Sequence, residues 1–470
     1  MDTTTKTYRQ DDLTGLSRKL CAATAATLYV DLPYDVIRMA KFLILDTLGI
    51  IGAAKNAPGM AALHARLSRW EHDGSATALL EKRRLSPPSA ALANGAAAHA
   101  LDFDDIHDEA RVHTSSVILP TLLAVAEDRG DVTGREFVRA MALGAEIDAR
   151  LGLTCFNCLG IGWHPTPLFG VMAGAIAAGL LLRLDSEQLV GALGFAHHLA
   201  NGSAQSMLDG TLTKRLGPGF AAQSAVMAAY LSGDGLTGPH RPLEGQAGLF
   251  LLQERGEIRP ERLLAGFGER WDIVDYGFKA FPSCRCTHST IDLGLQMHRK
   301  GVRPNDVAAI GIRLPEVNFK TVGQPYDPGR ASMVHAQFSA AYCFARALSD
   351  GRVDLTSFRP DAIVNPQIAA LTRRTQVELD ADMDPIAMGP VRVQIELNDG
   401  TSVAAETTTL LGGPEAPLSE AMLLDKFRSC LDVGLGVERA AADRLAETAM
   451  GLDREPDAAI LARVFPAATR

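Results

Sequence analysis

The sequence predicts a mainly α protein that carries a smaller α+β domain. Three observations carry this. Residues 1–270 read as helix after helix, rich in Ala, Leu and Met and poor in β-branched alternation. From about residue 271 to 405 strand-like segments appear. From Ser419 to Thr448 the pattern returns to helix. The expected domains are an all-helical one, residues 1–270 with 406–470, and an α+β one, residues 271–405.

Taken in order, Tyr34–Ala54 has apolar positions at helical spacing. Ser86–His99 is Ala-rich, with Pro87 and Pro88 near its start, where a helix tolerates proline. Ser116–Arg129, Gly134–Leu151, Leu168–Leu182, Ser186–Ala200 and Gly219–Gly233 continue the series. Several of these segments end at Gly or meet Pro, as helix ends do. Leu168–Leu182 is the longest apolar stretch. It has the length of a buried core helix and is short for a bilayer span. Its Gly170, Gly174 and Gly179 predict close helix packing. Val307–Leu314 reads as a strand. Val391–Leu397 and Thr401–Thr409, joined by Asn-Asp-Gly, read as a hairpin. Ala336–Leu348 is helical between them.

The chain has 470 residues, 47% of them hydrophobic, enough to bury a sizeable core. Its net charge of −9, with only the short basic run Lys82-Arg83-Arg84, excludes a nucleic-acid binder that works through a basic face. Seven scattered cysteines without a repeating framework suit a reducing compartment. The N-terminal segment is polar and lacks the apolar core of a signal peptide. These features predict a soluble, cytoplasmic protein.

The densest chemistry lies between Ala98 and Pro120. His99, Asp102, Asp104, Asp105, His107, Asp108, Glu109 and His113 crowd one short segment before an apolar run. Such a cluster moves protons, holds a metal, or is a solvated acidic loop. The spacing is not that of an EF-hand, since no Gly holds the turn and no Glu closes the loop. HExxH is absent, and Cys155–Cys158 is a lone CxxC without a second pair. No metal is therefore expected. No GxGxxG follows a strand, and the run Gly210–Gly219 has its lysine before the later glycines, the wrong order for a phosphate loop. GxSxG is missing too. What remains is His164 in GIGWHPTPLFG, Lys214 in DGTLTKRLGPG, and Lys279 in YGFKAFPSCRCTH, with Cys284 and His288 after it. Each alone reads as a turn residue or a solvated lysine.

Together these segments resemble a known family. AHALDFDD with ILP after it, GWHPTPLFG, DGTLTKRLGPGFAAQSAVMAAYL, KAFPSCRCTH and HAQFSAAYCFARAL are similar, in this order, to motifs of the MmgE/PrpD family. That family includes 2-methylcitrate dehydratase, cis-aconitate decarboxylase and iminodisuccinate epimerase. The resemblance runs from about residue 20 to 450. It implies a large helical domain with an inserted α+β lid, a homodimer, an active site in the cleft between the domains, and no metal or organic cofactor. It also implies site residues: Asp102, His113, His164, Lys214 and Lys279, with Cys284 and His288 as weaker substrate-binding candidates. The chain departs from the family pattern at four places. Thr114-Ser115 stands where dehydratases and decarboxylases show Pro-Ser. Ile106 replaces a threonine of the decarboxylase, and Cys284 an active-site histidine. The spacing from Asp102 to His113 is one residue longer than in the decarboxylase. These departures weigh against cis-aconitate decarboxylation and strict 2-methylcitrate dehydration.

The reactions of that family share proton transfer at a carbon next to a carboxylate, which needs a base near the carbon and positive charge on the carboxylate. Lysines clamp carboxylates as point charges, and histidines titrate near neutral pH. The expectation is a cofactor-independent lyase of the 2-methylcitrate dehydratase type, acting on a small di- or tricarboxylic acid. Epimerisation of a dicarboxylate is the first alternative, then decarboxylation, then non-catalytic carboxylate binding.

Overall fold

The helical spacing of the first segments is realised almost residue for residue. A computed structural model describes residues 13–71, 73–330, 332–385 and 387–469. The polar segment 1–12, read above as lacking a signal-peptide core, lies outside them. Helices span Tyr34–Ala53, Pro87–His99, Ser115–Arg129, Gly134–Thr154, Pro165–Leu181, Ser186–Leu199 and Thr213–Gly233. Among the described residues no helix is long and apolar enough to cross a membrane.

The chain divides into two compact units, Met1–Gly277 with Glu420–Arg470, and Phe278–Ser419. The boundaries fall later along the chain than the change in composition indicated. Tyr276–Gly277 is held in the first unit as a short strand paired antiparallel with Ile106–His107. The turn around Gly412 stays with the second, where its carbonyl accepts from the Phe278 amide at 2.8 Å.

In the first unit the Thr213–Gly233 helix packs on Pro87–His99 and on Pro165–Leu181. The first of these crossings is tight. A methyl group on Gly219 would lie 2.5 Å from the Leu92 carbonyl oxygen, and one on Gly95 would lie 2.9 Å from the Gly219 Cα. Only a glycine pair lets the two backbones approach this closely. The Glu420–Leu435 helix packs on Tyr34–Ala53, burying Leu423, Phe427 and Leu431.

The Thr213–Gly233 helix begins six positions before the Gly219 start read from sequence, despite Pro218 inside it. Lys214 is therefore a helical residue of the first turn and not a loop lysine. Packing against neighbouring helices outweighs the local proline and glycine penalty.

The second unit centres on a four-stranded sheet with strand order Thr375–Leu379, Val307–Leu314, Val391–Leu397, Ser402–Thr407. The first pair is parallel and the others antiparallel. Val307, Ile310, Ile312 and Leu314 are buried in one core with Leu293 and Met297 of the His288–Arg299 helix and Phe344 and Leu348 of the Ala340–Asp350 helix. The Thr375–Leu379 strand was not anticipated. It is a largely exposed edge strand, so its sequence shows no apolar alternation. The helix expected over Ala336–Leu348 is broken in two, because Ser339 caps the second half by accepting from the Tyr342 amide at 3.2 Å.

Candidate active site

The Pro87–His99 helix ends at His99, and the chain turns sharply at Asp102, which adopts a left-handed backbone at φ 54°. Asp102 Oδ1 then meets Lys214 Nζ at 3.1 Å, and both side chains are buried. This joins the acidic segment to the first turn of the Thr213–Gly233 helix. The neighbouring Arg215 guanidinium, also buried, donates to the Ala100 carbonyl, and burial lowers its pKa to about 10.

Asp104 and Asp105 are fully buried, so this stretch is not the solvated acidic loop that was one of its readings. Asp104 Oδ2 accepts from His99 Nδ1 at 2.6 Å and lies 3.8 Å from His113 Nδ1. His113 Nδ1 donates to the Asp105 main-chain carbonyl at 2.6 Å. A carbonyl only accepts, so the neutral form of His113 carries its proton on Nδ1 and its lone pair on Nε2. Asp105 Oδ2 faces the Ser115 amide at 3.4 Å. Burial, with Asp104 adding to it, holds the Asp105 carboxyl well above the usual carboxylate range. Of the acidic residues in the segment only Glu109 is exposed, with Asp108 half-buried.

His164 stands just before the Pro165–Leu181 helix, without a side-chain capping bond, and is held by its backbone amide, which donates to the Gly202 carbonyl at 2.7 Å. The His99 ring lies 5.2 Å from that of His113 and 6.0 Å from that of His164. Burial drives the His164 pKa well below its ordinary value, and the charge of Lys214 adds to this. His164 is thus a neutral imidazole at physiological pH. Asp102, His113, His164 and Lys214 are all drawn into one neighbourhood of the first unit.

The site set read from sequence left out three members of this neighbourhood. His99 and Asp104 sit inside the AHALDFDD motif, and their density there was the available signal. The third, Lys426, has no such signal. It reaches from the Glu420–Leu435 helix to an ion pair with buried Asp46 at 2.8 Å, donates to the Phe103 carbonyl at 2.9 Å and stacks over the Phe103 ring at 4.0 Å. A cation from the far end of the chain thereby pins the centre of the acidic segment. The strand pairing of Ile106 with Gly277 and His107 with Tyr276 pins its middle.

Deeper in the same unit, Asp148 is completely buried, and burial lifts its pKa to about 7, the Thr114 hydroxyl offsetting part of the rise. The native state then binds more protons than the unfolded chain between the ordinary value of 3.8 and about 7. Stability present in full below the lower value is lost as pH rises through this window. Asp148→Asn is expected to flatten this loss by about 1 kcal/mol per pH unit. Urea unfolding from pH 5 to 7 measures it; parallel curves for the two proteins would contradict it.

The remaining candidates belong to the second unit. Lys279 is 1% exposed. Cys284 is buried, its amide donating to the Gln337 carbonyl at 3.1 Å. His288 opens the His288–Arg299 helix, with its Nδ1 3.3 Å from the Arg285 guanidinium and its ring 5.2 Å from that of Phe281. Arg285, which sequence reading passed over, also donates to the Leu411 carbonyl at 2.8 Å.

His99, Asp104 and His113 offer potential ligand atoms within 4.8 Å of one another. Within this set His99 Nδ1 and His113 Nδ1 each make a short hydrogen bond, at 2.6 Å.

Comparison with known proteins agrees with this architecture. The MmgE/PrpD N-terminal domain model matches residues 18–258, and the MmgE/PrpD C-terminal domain model matches residues 281–452. A cis-aconitate decarboxylase of Aspergillus terreus is 27% identical over 94% of both chains. The Homo sapiens cis-aconitate decarboxylase is 29% identical over 84% of this chain and 83% of its own. A cis-aconitate decarboxylase-like protein, oryM of Aspergillus oryzae, is 27% identical over 91% of this chain and 92% of its own. With both domain models matched along most of its length, the chain belongs to the MmgE/PrpD family and is an enzyme of the lyase type.

Proposed function

We propose that this enzyme acts through its own side chains on a small di- or tricarboxylic acid and moves a proton at the carbon next to a carboxylate. The observation that carries the reading is a buried lysine, Lys214, held by Asp102 beside imidazoles in unlike charge environments. In a buried setting one ammonium strongly stabilises the enediolate-like charge that develops when the α-proton leaves. Asp102 holds that ammonium in place while the substrate is absent.

The histidines divide the proton work. His164, kept neutral by burial and by Lys214, is the base that takes the α-proton. His113, beside the Asp104 carboxylate, is the acid that protonates the leaving group. In a dehydration the C–H electrons form the alkene, and the hydroxyl leaves as water with the proton from His113. Lys279 is proposed as a second carboxylate ligand, with Cys284 and His288 in weaker binding roles. Decarboxylation is the second reading, favoured by the names of the relatives over most of the chain. There the C–C bond electrons stay on the α-carbon as CO2 leaves, and His113 protonates that carbon.

The test is NMR in D2O over a panel of hydroxy, amino and unsaturated di- and tricarboxylates. Deuterium entry at the α-carbon with a conjugated-alkene absorbance is expected, or CO2 release for the second reading. Exchange without loss of water or CO2 would make the protein an epimerase. Binding without exchange on any panel member would leave only a carboxylate-binding protein. A cytoplasmic homodimer is the proposed form, with light scattering expected to give about twice the chain mass of 50.1 kDa.

A further inference from the structure

The mechanism above uses Asp102, His113, His164, Lys214 and Lys279 and gives no task of its own to the buried pair His99 and Asp104. His99 is wholly inaccessible, and so is Asp104. Neither is placed to touch a substrate. Both nevertheless sit against the proton-transferring groups, His99 by its ring and Asp104 by its carboxylate.

We propose that Asp104, held in place by His99, is a positioning residue for His113: it orients the imidazole and supplies the counter-charge when that ring carries a proton. The proposal rests on the proton-transfer reading of the site. Three observations support it. The His99 Nδ1–H donates to Asp104 Oδ2 at 2.6 Å, which fixes the carboxylate against rotation. The same oxygen lies 3.8 Å from His113 Nδ1. His113 Nδ1 is itself anchored 2.6 Å from the Asp105 carbonyl, so the carboxylate adds charge where a carbonyl already sets direction. This is the arrangement in which an acid orients an imidazole and stabilises the imidazolium without taking the proton.

The surrounding charges are consistent with that role. His99 feels Asp104, Lys214 and Asp102, and burial lowers its pKa, so it serves Asp104 as a neutral donor. From the Tyr34–Ala53 helix, Asp46 faces Asp104 and Asp105 but is neutralised by Lys426 of the Glu420–Leu435 helix. Burial, with Asp104 and Asp46 adding to it, pushes the Asp105 carboxyl well up, which disfavours a competing charge there. His164 and Lys214 approach from the Pro165–Leu181 and Thr213–Gly233 helices. Asp104 is thus the carboxylate whose charge His113 meets most directly at its Nδ1 edge, while Asp102 is committed to Lys214.

Asp104→Asn tests this, since the amide keeps the shape and an acceptor for His99 but loses the charge. The general acid must hold its proton, and without the carboxylate the proton leaves more easily. The alkaline limb of the kcat/KM profile is therefore expected to move about one pH unit lower. kcat is expected to fall about tenfold or more, with KM within about threefold. In protein labelled with 15N-histidine, the site imidazoles, assigned by signal loss in His113→Gln and His99→Asn, are expected to take up protons about one pH unit lower in Asp104→Asn. An unchanged ring titration with an unchanged alkaline limb overturns the proposal. If the wild-type enzyme turns over no acid of the panel, the functional reading fails and the ring titration alone decides the positioning role. If Asp104→Asn does not fold, His99→Asn, which keeps a donor for Asp104, is expected to retain activity that His99→Leu loses. Equal rates in those two variants overturn the proposal.

Discussion

Replacing Lys214 by methionine is expected to lower kcat/KM about a hundred- to a thousandfold, because the ammonium is the charge that meets the developing enediolate. The same change removes the lysine side of a buried ion pair, with Arg215 left as the other cation that Asp102 feels. Breaking a buried pair from one side costs about 3–5 kcal/mol. Loss of activity alone would therefore confuse a chemical role with a folding defect. The double variant Asp102→Asn with Lys214→Met separates them. It removes both charges, so its stability in urea is expected to return close to that of the wild type while its activity stays lost. Near-normal rates in Lys214→Met, or recovery of rate in the double variant, would remove Lys214 from the chemistry.

Arg150→Met is expected to destabilise the Met1–Gly277 and Glu420–Arg470 unit by about 3–5 kcal/mol, measured by urea unfolding. The Arg150 guanidinium is fully buried and pairs with buried Glu146 one helical turn away. It also donates to the carbonyls of Leu263 at 3.2 Å, Ala265 at 3.1 Å and Arg270 at 2.8 Å. Methionine fills the volume but takes the guanidinium away from two buried carboxylates, Glu146 and Asp272, and from the carbonyls it serves. The consequence extends toward the site. Glu146 accepts from the Ile273 amide at 2.8 Å, and the chain then enters the Tyr276–Gly277 strand that pins Ile106 and His107. A stability within about 1 kcal/mol of the wild type would show that water replaces the guanidinium there.

The helices of the first unit were legible because their apolar faces repeat at helical spacing, and the paired strands Val307–Leu314 and Val391–Leu397 because they alternate or sit beside a turn. The places that were not legible share one cause. The Thr375–Leu379 strand is an exposed edge, the Ile106–His107 pairing joins residues far apart in sequence, and the Thr213 helix start runs through a proline that local propensity reads as a loop. In each, long-range contact outweighs local preference. The site divides in the same way. The residues in motifs, Asp102, His113, His164 and Lys214, were visible in sequence. The buried state of Asp104 and Asp105 was not, because burial depends on what folds over a segment and not on the segment itself.

The sequence by itself determined the class of fold, the family pattern and the residue types able to hold a carboxylate and move a proton. Those follow from periodicity and from the chemistry of single side chains. The tertiary structure alone decided which groups share a neighbourhood and in what state of charge. Lys426 reaches back from the far end of the chain to pin Phe103, His99 locks Asp104, and Lys214 faces Asp102 in a buried pair. Protonation follows desolvation and the nearest opposing charge, and both are properties of packing in three dimensions.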